Sequence, residues 1–428
     1  MQQLKRELGV FGAIMMGLGS IVGTGIFVSV GLSAGIAGAS VIFAIMIAAM
    51  VATFNGLNSA QLAANHPVSG GTYEYGYRYL NPQLGFVAGW AFLLAKSASA
   101  ATAALGFSGY LLDAFNVSDN NIRVIVALVA VIVMTVIVLL GIRRSNTANI
   151  VIVSLTLLTL TAFVVSGVPS IQIDNLTPFL PQDGGGLSAL LQASALMFVA
   201  YTGYGRIATL GEEVREPRVT IPRAMIATLL VTMVLYISVA LVGVGTIGAD
   251  ALGRAVDQTA APLEVAAQSF APAIAPLIAV GAITAMLGVL LNLLLGLSRV
   301  LLAMGRRHDM PPIVARLNES QTTPYISVLV IGALIGGLVL IGDVRTTWSF
   351  SAFTVLIYYS LTNLSALQLS DEERLYPRWI GYAGLIACLF LAFWVDLAVW
   401  VIGAVLLGLG LLWQILAHRI FGDTDTSG

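Results

Sequence analysis

About twelve stretches of this chain are apolar for long enough to cross a bilayer, and only short linkers separate them. A spanning helix needs about 20 predominantly apolar residues. The segments lie near 9–34, 38–64, 83–112, 122–141, 147–168, 187–212, 222–247, 273–303, 324–342, 346–369, 378–395 and 397–418, and are called spans 1 to 12 below. Of 428 residues, 58% are hydrophobic and 10% charged. Soluble domains carry about a quarter charged residues, so the solvent for this surface is lipid. The fold class expected is an all-α, polytopic membrane protein of about twelve transmembrane helices.

The short linkers predict one transmembrane domain over 1–421, followed by a flexible cytoplasmic tail at 422–428. No cleavable leader is expected, because no small-residue cleavage site follows a short apolar region. A net charge of −1 gives no bulk attraction to nucleic acid. Basic residues set the orientation. With the N-terminus in the cytoplasm, Lys5, Arg6, Arg78, Arg143, Arg144, Arg215, Arg218 and Arg223 fall inside, as do Arg306, Arg307, Arg316, Arg374, Arg378 and Arg419. Only Arg123, Arg254 and Arg345 fall outside. Both termini are therefore expected in the cytoplasm of a multi-pass plasma (inner) membrane protein. Cys388, the one cysteine, lies in an apolar segment and permits no intrachain disulfide. His66, His308 and His418 sit in or beside cytoplasmic segments, leaving none for a mid-membrane relay or metal site.

Spans 1 and 6 carry interruptions. Span 1 holds Gly17, Gly19, Gly23 and Gly25 within nine residues, and each glycine costs a helix about 1 kcal/mol against alanine. Span 6 repeats the event at Tyr201-Thr202-Gly203-Tyr204-Gly205-Arg206. Small residues also serve close helix packing. Two interrupted spans five helices apart point instead to an inverted repeat, about 9–168 and 187–369, with accessory helices at about 378–418. A break at mid-membrane exposes backbone donors and acceptors, tolerable only where ligand or water fills the gap. Half-helix N-termini attract anions and C-termini cations. The carboxylate of a zwitterionic amino acid would sit against the amides of Gly23, Thr24 and Gly25. Its ammonium would sit against carbonyls around Ile21 and from Val199 to Thr202.

The run from Gly19 to Phe27 resembles the first-helix motif of the amino acid–polyamine–organocation (APC) transporters, and so does Pro67-Val68-Ser69-Gly70-Gly71-Thr72-Tyr73-Glu74-Tyr75 continuing to Trp90. Ala200-Tyr201-Thr202-Gly203, Glu212-Glu213-Val214-Arg215-Glu216-Pro217 and Ile221-Pro222-Arg223-Ala224 look like the family's sixth helix and following loop, and Ser298-Arg299 with Met304-Gly305-Arg306 like the end of its eighth. The resemblance covers about residues 8 to 320. It implies the leucine-transporter fold, a 5+5 inverted repeat plus two helices with helices 1 and 6 broken, and secondary transport of amino acids or amines. It also implies that Ile21, Thr24, Gly25, Val199 and Thr202 contact the substrate. Three features depart from the family's patterns. Span 5 has no lysine over Val151 to Thr156, where proton-using members carry one. Span 8 offers no hydroxyl from Ala285 to Leu290, where sodium-coupled relatives use them. Leu291 and Gly205 stand where the arginine–agmatine exchangers place a tryptophan and an acidic gate.

Lys96 is one of two lysines and lies near the middle of span 3. A charge at that depth costs about 2.5–3.5 kcal/mol or more and usually faces a cavity. Ser99, Ala100 and Ala103 share its helical face. Lys96 is therefore a candidate for substrate binding and for carrying a coupling proton. Substrate-binding candidates are Ile21, Gly23, Thr24, Gly25, Lys96, Ser99, Ala100, Val199, Thr202, Gly203, Tyr204 and Gly205. Arg206, Glu212, Glu213 and Arg299 join Lys96 as coupling or gating candidates, the last three as a cytoplasmic salt-bridge gate. Tyr358 and Tyr359 read most simply as packing. No carboxylate lies at a predicted membrane centre, so a cationic substrate would meet uncompensated positive charge.

The function expected is secondary active transport of a neutral or acidic amino acid by alternating access, either proton-coupled or by exchange. A polyamine or cationic amino acid exchanger is the alternative within the class, and a non-transporting amino-acid sensor the alternative outside it. An enzyme is not expected, since no acid–base set is visible near either membrane face. No cofactor or metal is expected beyond a coupling proton. Membrane lipid is the bulk partner, and spans 11 and 12 offer peripheral support or a homodimer surface.

Overall fold

The computed structural model describes residues 9–66, 70–117, 119–141, 146–181, 185–208, 214–319 and 323–421, which are largely helical. Span 1 is a composite: an α-helix at Val10–Ile21, a π-helical turn at Gly25–Ser29 and a second α-helix at Val30–Ala37. The other spans are Val41–Asn65, Pro82–Asp113, Asn120–Leu139, Asn146–Gly167, Gly186–Ala208, Pro217–Ile247, Ala275–Arg306, Tyr325–Val339, Val344–Leu367, Arg378–Ala392 and Leu397–Phe421. The twelve apolar runs thus become the spans of a multi-pass, all-α membrane protein.

Short polar residues set several helix starts. Asn81 accepts a hydrogen bond from Leu84 N at 2.8 Å, with Pro82 at the first helical position. Asp119 caps span 4 and Asp343 caps span 10 through the first free amides. Span 7 starts at Pro217, five residues before the expected edge, and runs through Pro222. Proline at the start of a helix removes a donor that has no partner there, and Pro222, one turn further, costs a single ladder bond.

Two elements are absent from a pure row of spans. The linker between spans 2 and 3 forms a helix at Thr72–Tyr79. The linker between spans 7 and 8 forms two cap helices, Ala249–Gln258 and Pro262–Phe270. Their contacts agree with odd–even alternation of the spans. On one face, Glu74 of the linker helix pairs with Arg307 after span 8. On the other, Asp257 of the first cap helix pairs with Arg345 of span 10 at 3.2 Å, and Arg123 of span 4 donates to Gln258 O.

Burial sorts the spans. In their most apolar windows, 83% of span 3 and 78% of span 10 are buried, against 33% of spans 4 and 5 and 22% of span 12. Spans 3 and 10 pack on each other at the centre. Outward apolar residues such as Ile132, Leu158, Val234 and Leu412 are exposed and form the lipid-facing surface. Polar contacts tie the outer spans inward. Asn363 Nδ2 donates to Asn55 Oδ1 at 2.6 Å, Asn58 Nδ2 to Asn363 Oδ1 at 2.7 Å, and Asn55 Nδ2 to Cys388 Sγ at 3.2 Å. Spans 2, 10 and 11 are thereby joined by amides, an arrangement lipid favours because it offers no competing partner. Trp90 Nε1 donates to Leu406 O at 2.9 Å, pinning span 12 to span 3.

Asp309, fully buried, organises the face that carries the linker helix. It accepts from Tyr73 and Tyr77 hydroxyls at 2.7 Å each, while its carbonyl accepts from Trp413 Nε1 at 3.0 Å. Burial and the neighbouring Asp309 charge hold both phenols well above their ordinary range, so they stay protonated donors. Arg307 lies over the Tyr77 ring at 4.4 Å from its centroid. A buried donor left without a partner costs about 1–3 kcal/mol. Asp309→Ala is therefore expected to lower the thermal unfolding midpoint of the detergent-purified protein, and Asp309→Asn, which keeps an acceptor, to lower it less.

Candidate functional site

The glycines of span 1 do break it. Val22 leaves the helix with extended backbone, its amide closing the N-terminal half on Leu18 O at 2.7 Å. Gly23 O then accepts from both Ile26 N and Phe27 N at 3.1 Å, starting the C-terminal half, which is the outer one when the N-terminus is cytoplasmic. The first-turn amides of that half, at Thr24 and Gly25, stand at a helix N-terminus in the middle of the protein. The Thr24 hydroxyl is buried and has no hydrogen-bond partner among the described residues.

Span 6 is interrupted more gently than expected. It passes from α-helix at Tyr201 into a 3-10 turn at Thr202–Tyr204 and resumes at Gly205. The helix is tightened rather than opened, since 3-10 turns keep most backbone bonds while changing their span.

The two breaks touch. A Cβ on Gly203 would fall inside the van der Waals envelope of the Ser20 carbonyl and the Ile21 nitrogen, and one on Gly25 would lie 2.6 Å from Ala200 Cβ. Glycine is required at both because backbone passes against backbone. Tyr236 of span 7 completes the junction. Its hydroxyl lies 3.1 Å from both Ile21 O and Ala200 O. A phenol donates one proton, so it satisfies one of these carbonyls at a time.

Lys96 reaches this junction. Its amine donates to Thr202 Oγ1 at 2.6 Å, and that hydroxyl donates to Val199 O at 2.7 Å. Lys96 is 8% exposed, and Ala100 on the same face is fully buried. Ser99 Oγ pairs with Ser351 Oγ of span 10 at 2.7 Å. Tyr359 of span 10, read from sequence as packing, donates its hydroxyl to Thr202 O at 3.2 Å and packs against the rings of Phe198 and Tyr204. Its neighbour Tyr358 accepts from Thr72 N at 3.3 Å, linking span 10 to the linker helix.

Ile21, Thr24, Gly25, Lys96, Val199, Thr202 and Gly203 are thus brought together, with Gly23 in the break, Tyr204 in the following turn, and Ser99 and Ala100 on the adjoining face of span 3. Gly23 backs onto span 8, where an added Cβ would meet Val289 Cγ2 at 2.6 Å. Gly205 and Arg206 begin the last turn of span 6 and are half-buried, Gly205 beside the Tyr359 hydroxyl. Arg299 is exposed. Glu212 and Glu213 lie outside the described residues. Sequence reasoning missed Tyr236 and undervalued Tyr359. The one available signal was a tyrosine amid the aliphatic residues of span 7. Hydroxyls of Tyr236, Thr202 and Tyr359 all donate to carbonyls at the two breaks.

Paired helix interruptions meeting around a buried polar centre define a multi-pass membrane transporter. The chain belongs to the amino acid permease family, whose profile matches residues 12–425. It is 38% identical over its whole length to an uncharacterised transporter of Mycobacterium tuberculosis (strain ATCC 25618 / H37Rv), covering 96% of that protein. It is 29% identical to the branched-chain amino acid permease BcaP of Bacillus subtilis (strain 168), over 91% of this chain and 88% of that one. It is 24% identical to the chloroplastic cationic amino acid transporter 7 of Arabidopsis thaliana, over 85% and 65% respectively. These are transporters, not enzymes, and the fold class read from the sequence stands.

The junction makes a direct prediction. Overpacking at a closed contact costs about 1–3 kcal/mol. Gly203→Ala is therefore expected to reduce the yield of monodisperse protein and its thermal midpoint. Gly408→Ala, at a position with nothing within 4 Å of the added methyl, is expected to change neither.

Proposed function

We propose that this protein is a secondary transporter of amino acids with neutral or acidic side chains, working by alternating access. Both termini lie in the cytoplasm in this reading, and the host membrane is the plasma membrane. The observation that carries it is the Lys96–Thr202 contact, a lysine amine placed at the meeting point of the two helix breaks. The carboxylate of the substrate sits at the amides opening the outer half of span 1, beside the partnerless Thr24 hydroxyl. Its amino group takes over the Ile21 and Ala200 carbonyls now served by Tyr236.

Lys96 sets the side-chain preference. A second positive charge 4 Å away would be repelled by about 4 kcal/mol at an effective dielectric of about 20. Arginine, lysine and polyamines are disfavoured for that reason. The likeness to a relative named for branched-chain amino acids supports the neutral class. Sodium coupling draws no support from span 8, because Val289 and Ala285 back the break at Gly23. A proton, or exchange against another amino acid, drives the cycle.

Counterflow of labelled leucine and glutamate into proteoliposomes tests this. The native protein is expected to accumulate at least one of them against unlabelled substrate, with arginine failing to compete. Lys96→Ala removes the repulsion and is expected to let arginine compete, whereas Lys96→Arg is expected to keep it out. Absence of counterflow for every amino acid would reject the transport reading, and arginine competing equally in all three proteins would reject the role of Lys96. The same variants test whether Lys96 carries a coupling proton, since coupling unchanged in both rules that out.

A further inference from the structure

On the face opposite the termini, the second cap helix carries a carboxylate that the site above does not use. Glu264, in the first turn of Pro262–Phe270, is 2% exposed. Its Oε2 is shielded from solvent and has no hydrogen-bond partner among the described residues. One turn along the same face, Gln268 Nε2 donates to Asp113 Oδ2 at 3.4 Å, which sets the end of span 3 beside that face. Asp113 brings a second negative charge to the site, and that charge acts on Glu264. Tyr110, one turn before Asp113 and fully buried, is the other titratable group that faces it. The neighbouring cap helix carries Asp250, Arg254 and Asp257, all exposed, and Asp257 is held by Arg345. Charged residues of spans 7 and 8 lie at the opposite ends of those helices.

The residue before Glu264 is wired to the broken span. Leu263 N donates to the Tyr110 hydroxyl at 3.3 Å, and that hydroxyl donates to Phe27 O at 2.7 Å, within the π-helical turn of the outer half of span 1. The seat of the cap helix and the outer half of span 1 therefore share one hydroxyl.

We propose that Glu264, beside Asp113, takes up a proton from this outer face, and that the proton decides whether the cap helix holds the outer half of span 1 closed. A proton passes from external water to the carboxylate, giving a neutral acid that stays buried without a cation. When the proton returns to external water, the carboxylate draws water into the seat. The cap helix then lifts, and the Tyr110 bridge to Phe27 parts. The first-turn position favours the charged form. Burial and the Asp113 charge outweigh this, raising the Glu264 carboxyl from its ordinary 4.5 to about 8. With the folded value above the unfolded one, stability is greatest at acid pH and falls as pH rises from about 5 through 8. This inference rests on the transport reading.

The test measures equilibrium exchange of labelled leucine and glutamate in proteoliposomes at equal pH on both sides, so that no gradient contributes. Each exchange cycle must close the outer face, so one proton with a value near 8 predicts about a tenfold fall in exchange between pH 7 and pH 9. Glu264→Gln is expected to flatten that fall to less than about twofold, and Asp113→Asn to move its midpoint to lower pH by removing a neighbouring negative charge. Glu264→Gln retaining the native profile overturns the proposal, as does an unmoved midpoint in Asp113→Asn. The Asp113 arm decides alone if Glu264→Gln does not fold. Thermal unfolding of the purified proteins from pH 6 to 9 separates the two failures. If the native protein exchanges nothing, the transport reading falls, while a native pH slope that persists in Glu264→Gln removes Glu264 as the proton's site.

Discussion

Backbone lies on backbone where span 6 crosses span 1, and no side chain intervenes between Gly203 and the Ser20–Ile21 peptide. Every polar feature of the centre follows from that approach. Because the chains are so close, carbonyls from both breaks fall within reach of a single phenol, Tyr236. Because span 6 is tightened at Thr202, its side chain and carbonyl lie near the same point, where Lys96 and Tyr359 meet it. A hydrocarbon solvent would make these groups costly if they were left alone, so the breaks, the tyrosines and the lysine are conditions of one another.

Much of the fold was legible because its signals are periodic or additive. Long apolar runs predicted the spans, and the clustered glycines predicted the break at Val22–Gly23. Lys96 stood out because an amine is expensive at that depth. The depth of the second break was harder to foresee. Glycines at 203 and 205 mark weak helix, but whether the chain opens or merely tightens depends on the neighbour it touches. Gly203 serves close approach more than unwinding, and composition does not distinguish the two uses.

Other parts rest on single long-range contacts with no periodic trace. Tyr236 and Tyr359 sit in helices that would look much the same with phenylalanine in their place, and only their hydroxyl partners reveal them. The Asn55–Asn58–Asn363 amides join spans 2 and 10, about 300 residues apart in sequence. The cap helices are short and mixed in character, so they read as linker although they carry the buried Glu264. The family match settles what kind of protein this is, and the side-chain geometry supplies the particulars that such a match leaves open.

Span 12 has a place in this mechanics that its exposure would not suggest. Trp413 grips the peptide of Asp309 while the carboxylate of that residue holds Tyr73 and Tyr77 of the linker helix. Gln414, one residue on, holds Pro82 O at the start of span 3. Parting the linker helix from span 8 would break the tyrosine bonds or strain the tryptophan. The last helix is thus a mooring post for the linker helix and for the start of span 3.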